Sequence, residues 1–216
     1  MKNVLCFGDS NTYGLKPDGT GRFDRSVRWT GRLEQLLGSD RFHVIEEGLC
    51  GRTSVFEDAL RKNRRGIDVL PMILETHKPI DLVVIMLGTN DCKTRYHASA
   101  KVIAKGIELL ANQVKQVLDK NVKILLVSPI HLGQGVWEEK YDMEFSKESY
   151  QVSLKLPKQI ERVALENGYE YIAASDHTEP SATDREHLDE KGHEILGKVF
   201  ADRIQAIYNE EQVVNL

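Results

Sequence analysis

The apolar runs of this 216-residue chain are short, and each stops at a small or polar segment. Val4–Phe7 runs into Gly8-Asp9-Ser10, and His43–Glu46 into Glu47-Gly48-Leu49-Cys50-Gly51. Ile80–Leu87 runs into Gly88-Thr89-Asn90-Asp91, and Val122–Val127 into Ser128-Pro129. Amphipathic patterns at helical spacing separate these runs. One starts at Ser26, a candidate N-cap, and stops at Gly38; others cover 67–77, closed by Pro79, and 98–118. A pattern over 146–166 is expected to kink or split at Pro157; a short strand at 169–173 and a last helix over 190–208 follow. Strand–helix alternation predicts a parallel sheet with helices on both faces, and the almost continuously apolar 80–87 run predicts a strand covered on both sides. Helical crossovers force the C-terminal ends of the strands onto one edge. The glycine-bearing polar segments therefore meet there, where open α/β sheets place their ligands.

Composition sets the bounds. Hydrophobic residues at 41% and charged residues at 29% are those of a globular chain, long enough for a single domain over 1–216. A net charge of -4 gives no reason to expect nucleic acid or an anionic membrane as partner. Met1-Lys2-Asn3 leads directly into the first strand, and no apolar run is long enough to span a bilayer, so a cytoplasmic protein without signal peptide is expected. Cys6, Cys50 and Cys92 lack CxxC spacing and read as free thiols. The basic run Arg61-Lys62-Asn63-Arg64-Arg65 reads as solvated surface in preference to an anion-binding patch. The stretch 130–143, with Gly133, Gly135 and Trp137, reads as a long functional loop.

Ser10 falls at the tip of the first strand, with Gly8 before it and Gly14 after it. As a nucleophile it needs a general base, an acid to orient that base, and donors for an oxyanion. Of seven histidines, only His187 has a carboxylate three residues earlier in the loop after the last strand, in Asp184-Arg185-Glu186-His187. One turn brings such an Asp to the ring Nδ1 and leaves Nε2 facing Ser10. The backbone N–H of Ser10, the N–H of Gly51 and the side-chain amide of Asn90 are candidate oxyanion donors. Taken singly, each residue has an ordinary structural explanation. Their joint occurrence after successive strands favours a common site.

Gly8-Asp9-Ser10, Gly51, Gly88-Thr89-Asn90-Asp91 and Asp184-Arg185-Glu186-His187 resemble, in order, the four blocks of the SGNH (GDSL-type) hydrolases. Val27-Arg28-Trp29-Thr30-Gly31 and Ile85-Met86-Leu87-Gly88 extend the likeness to the arylesterase/acyltransferase branch. The resemblance implies a flavodoxin-like three-layer α/β/α sandwich and carboxylic ester hydrolysis without a cofactor. It assigns Ser10 as nucleophile, His187 as base, Asp184 as orienter, and Ser10, Gly51 and Asn90 as the oxyanion hole. Short, acetyl-type esters of aryl alcohols or sugars are the implied substrates, and a homo-oligomer the implied assembly. Asn11 stands where leucine or isoleucine is usual and Leu15 where a tryptophan is found. With Thr89 they are candidates to line the substrate pocket. Trp29 reads as packing or interface rather than a substrate platform.

Other readings fare worse. The α/β-hydrolase elbow Gly-x-Ser-x-Gly is not met, because Thr12 stands two after Ser10. No GxGxxG or P-loop follows the first strand, and no HExxH or Cys/His cluster suggests a metal. Transfer of the acyl group to alcohols, or a thioesterase or lysophospholipase using the same residues, stays open beside ester hydrolysis. A catalytically silent carbohydrate- or ester-binding module is disfavoured by the full residue set.

Overall fold

The computed structural model describes residues 1–118 and 121–214. Five strands form one parallel sheet: β1 (Lys2–Gly8), β2 (Phe42–Gly48), β3 (Leu82–Met86), β4 (Lys123–Ser128) and β5 (Glu170–Ala173), in the order β2-β1-β3-β4-β5. This is the flavodoxin-like doubly wound order, with its topological switch between β1 and β3. The helices are α1 (Ser10–Tyr13), α2 (Trp29–Leu37), α3 (Gly66–Thr76), α4 (Ala100–Val117), α5 (Lys147–Ser153), α6 (Leu156–Asn167) and α7 (Glu190–Val214). No described helix is long and apolar enough to cross a membrane.

The period-2 alternation of the strands divides the core into two apolar layers. Leu5, Phe7, Val83, Ile85, Ile124 and Leu126 face the side covered by α3, α4 and α6. Val4, Cys6, Leu82, Val84, Met86, Leu125 and Val127 face the side covered by α2 and α7. Trp29 is fully buried in that second layer, edge-on to Phe200 at 4.9 Å between ring centres, and its indole N–H donates to the Asn11 carbonyl at 3.0 Å. It is a packing residue.

Local departures from the sequence pattern have physical causes. The second helix begins at Trp29 and not at Ser26; its N-cap position is Arg28, whose side chain makes no cap bond. The Trp29 N–H, an orphan donor of that first turn, is met instead by Nδ1 of His193 at 3.3 Å, from a remote part of the chain. The helical pattern over 146–166 splits before Pro157, at residues 154–155, because proline fits the first turn of α6. Pro71 lies inside α3 without ending it. Its missing N–H leaves the Ile67 carbonyl unserved within the helix, and the Gln113 side-chain amide donates to that carbonyl at 2.8 Å.

The geometry that sets the site is the contact of α1 with the end of β2. Gly8 pairs with Gly48 on one side and with Met86 on the other. A Cβ on Gly48 would overlap the Tyr13 amide nitrogen and Cα, and a Cβ on Gly8 would overlap the Thr12 side chain. Both glycines are thus required by close approach, and together they let α1 lie across the sheet edge. Gly48→Ala is expected to lower stability by about 1–3 kcal/mol, the range for overpacking, read as a lower urea midpoint. It should also reduce activity, because the backbone it displaces carries Ser10.

Candidate active site

Ser10 opens α1 directly beyond β1. Asp9 caps that single turn, its Oδ1 accepting from the Asn11 N–H at 3.0 Å. The turn closes with Gly14 in the left-handed region, at φ +82°. The Asp184–His187 segment lies between β5 and α7. Asp184 organises its own turn: Oδ1 accepts from the N–H groups of Glu186 and His187, both at 3.0 Å. Its other oxygen lies 2.6 Å from His187 Nδ1, and His187 Nε2 lies 2.8 Å from Ser10 Oγ. An alcohol, an imidazole and a carboxylate are therefore aligned through two hydrogen bonds.

Gly51 and Asn90 are drawn to the same edge by a shared set of bonds. The Leu49 N–H donates to the Gly8 carbonyl at 3.1 Å, and Arg52 Nη1 donates to the same oxygen at 2.9 Å. The Asn90 amide donates to the Arg52 carbonyl at 3.1 Å, which leaves its second N–H unspent on that bond. Asp91 is buried and accepts from the backbone N–H of Ser54 at 2.9 Å and from the Ser54 hydroxyl. This bond ties the loop after β3 to the loop after β2. Gly51 holds φ +81°, a conformation that favours glycine. The Ser10 and Gly51 N–H groups donate to no protein acceptor among the described residues.

The pocket candidates are distributed differently from expectation. Asn11, expected to border the substrate, is buried and its amide is used by the protein: Oδ1 accepts from the Leu188 N–H at 2.9 Å, and Nδ2 donates to the Glu186 carbonyl at 3.4 Å. It joins the serine turn to the histidine loop. Thr89 is also buried, its hydroxyl turned toward Asp9 without hydrogen-bond geometry. Leu15 is half-buried one turn beyond Ser10, bridged to Arg22. The basic run is not uniformly solvated. Arg64 Nε donates to the Cys50 carbonyl at 2.8 Å, and the Arg61 guanidinium covers Gly51. The three cysteines are free, and burial pushes the thiols of Cys6 and Cys92 well above their ordinary value.

Sequence reasoning missed two charged residues at the site. Arg52 is buried over the Phe7 ring, 4.1 Å from its centre, and donates to the Gly8 and Glu47 carbonyls. Burial lowers its pKa to about 10. Glu186 is buried beside the histidine, with Oε1 3.8 Å from Nε2. The signal for both was proximity in sequence, since Arg52 follows Gly51 and Glu186 precedes His187.

Burial governs the charges here. It disfavours the Asp184 anion, yet the His187 hydrogen bond and charge hold that carboxyl below its usual range. Burial would likewise keep His187 neutral. The carboxylates of Glu186, Asp184 and Asp9 outweigh it and push the imidazole up to about 9. Asp9 and Asp91 are both raised to about 6 by burial.

The chain is similar in sequence and fold to known proteins. Residues 6–195 match the GDSL-like Lipase/Acylhydrolase family. Est24, a carbohydrate acetylesterase from Sinorhizobium meliloti, is 34% identical; the match covers 96% of this chain and 100% of that one, with a TM-score of 0.88. The M. smegmatis aryl esterase is also 34% identical, over 95% of this chain and 99% of its own, with a TM-score of 0.86. A further solved chain is 40% identical, with coverage of 96% and 98% and a TM-score of 0.90. No curated protein sequence matches the chain.

Asp9 yields a test by pH. Its folded-state value near 6 lies above the ordinary 3.8, so its ionisation opposes folding. The cost is absent below the ordinary value, grows as pH rises, and is complete above about 6. Oδ2 has no hydrogen-bond partner among the described residues, and the Asn11 N–H on Oδ1 together with the His187 and Arg52 charges offsets only part of that cost. Asp9→Asn keeps a capping side chain and removes the charge. Its stability relative to wild type should rise between pH 4 and pH 8 by up to about 3 kcal/mol. Urea midpoints across that range check this, and a difference independent of pH would contradict it.

Proposed function

Because the chain belongs to the GDSL-like lipase/acylhydrolase family, we propose that it is a serine esterase hydrolysing short-chain, acetyl-type carboxylic esters through an acyl-Ser10 intermediate. One observation carries this reading: the Ser10 Oγ, His187 Nε2 and Nδ1, and Asp184 Oδ2 contacts at 2.8 and 2.6 Å. Ser10 is the nucleophile, His187 its base, and Asp184 the group that fixes the tautomer and balances the imidazolium. As Ser10 Oγ bonds to the carbonyl carbon, its proton passes to His187 Nε2. The carbonyl electron pair moves onto oxygen, where the N–H groups of Ser10 and Gly51 and the amide of Asn90 receive it. The C–O bond to the alcohol then breaks, and that oxygen leaves with the proton from Nε2. Water, deprotonated by the same nitrogen, repeats the sequence on the acyl-enzyme and frees Ser10.

The similarity to a carbohydrate acetylesterase and an aryl esterase supports acetyl-type esters of sugar or aryl alcohols.

With 4-nitrophenyl acetate, Ser10→Ala is expected to lose at least about 10³-fold in kcat/KM. Asn90→Ala should lose about 10²–10³-fold, mainly in kcat, as removal of one oxyanion donor does. A Ser10→Ala protein that turns over at the wild-type rate would end the reading. Comparison with acyl thioesters and lysolipids at equal concentration distinguishes an esterase from a thioesterase or lysophospholipase.

A further inference from the structure

Two carboxylates address the His187 ring, from opposite nitrogens. Asp184 holds Nδ1 at 2.6 Å, while Glu186 Oε1 stands 3.8 Å from Nε2, the nitrogen that also meets Ser10. Glu186 is fixed by its backbone: its N–H donates to Asp184 Oδ1, and its carbonyl accepts from Asn11. Its side chain is only 10% exposed, and among the described residues no protein group donates a hydrogen bond to its carboxylate. Such a carboxylate is costly unless a positive charge faces it. The charged groups around it are His187, Asp142, Lys93 and Asp184, and Lys93 is itself bonded to Glu144. Around His187 stand Glu186, Asp184 and Asp9, with Asp142 and the buried His193 farther off.

We propose that Glu186 is a second electrostatic partner of the His187 imidazolium, acting at Nε2, and that it sets the pH range over which the imidazole is free to serve as base. This rests on the roles given above to Ser10, His187 and Asp184. When the Ser10 proton arrives at Nε2, the new positive charge stands 3.8 Å from Glu186 Oε1. Glu186 takes no proton; its charge lowers the energy of the ion until the proton moves on to the departing alcohol oxygen. The same charge favours the imidazolium in the resting enzyme. Glu186 thus strengthens the base once it is free and reduces the fraction that is free near neutrality.

The test uses the full-length protein and 4-nitrophenyl acetate between pH 5 and pH 10, with wild type, Glu186→Gln and Glu186→Asp. In parallel, the His187 ring nitrogens are titrated by ¹H–¹⁵N NMR in the Ser10→Ala background, with and without Glu186→Gln, where turnover is not needed. In Glu186→Gln the midpoint of the acid limb of kcat/KM should fall by at least about one unit. Each unit raises kcat/KM at pH 7 by up to about tenfold through the larger free-base fraction, while the plateau at high pH declines. Glu186→Asp should restore part of the shift, and the ring titration should move in the same direction. An unmoved or raised ring midpoint in Glu186→Gln overturns the proposal, whatever the rates do. Full activity in Ser10→Ala would instead overturn the esterase reading, and the ring titration would still decide the role of Glu186.

Discussion

Segments 177 residues apart in the chain must be held within hydrogen-bond distance, and Asn11 does much of the holding. Its side chain accepts from the Leu188 N–H and donates to the Glu186 carbonyl, on either side of His187. Its own carbonyl accepts from the Trp29 indole, so the serine turn is also fastened to α2. Ser10 and His187 are each adjacent in sequence to a residue in this network. The Ser10–His187 bond is therefore not left to find its own length. It is set by buried bonds that hold the two backbone segments against each other.

The second requirement is electrostatic. Asp9, Asp91, Arg52, Glu186 and His187 are all nearly sealed from solvent along the same sheet edge. Burial works against every one of these charges, and they persist because each faces a donor or an opposite charge. Asp91 is held by Ser54, Arg52 by two backbone carbonyls, and His187 by carboxylates on both ring nitrogens. A cluster of this kind stabilises the fold less than an apolar core would. It does supply fixed charges beside the reacting atoms, with little water to screen them.

Most of the fold was legible because it depends on local patterns. Alternating strands with apolar faces and glycines at their ends made the parallel sheet, and the Asp184 spacing to His187 is a one-turn relationship that sequence can express. What was not legible came from distance. The start of α2 depends on His193 rather than Ser26, and the tolerance of Pro71 depends on Gln113, neither of which a local window contains. In sequence Asn11 reads as a pocket residue, because polarity beside a nucleophile suggests substrate contact, whereas its side-chain partners are the protein's own backbone. Glu186 and Arg52 carry no local signal of burial, since a charged residue next to a motif residue reads as surface until its burial is known.

The loop over 133–138 is bound to the histidine segment at its backbone. The Gly133 N–H donates to the Arg185 carbonyl at 2.7 Å, and the Arg185 guanidinium reaches the Gln134 carbonyl and Glu138 and lies over the Tyr141 ring. Arg185 itself holds φ +62°, a strained value for a residue with a side chain, and these bonds keep it there. The two segments are thus bonded directly to each other, although about fifty residues of chain separate them. Anyone grafting the loop of a relative onto this scaffold would have to transplant the arginine turn with it, or the imidazole would inherit the misfit.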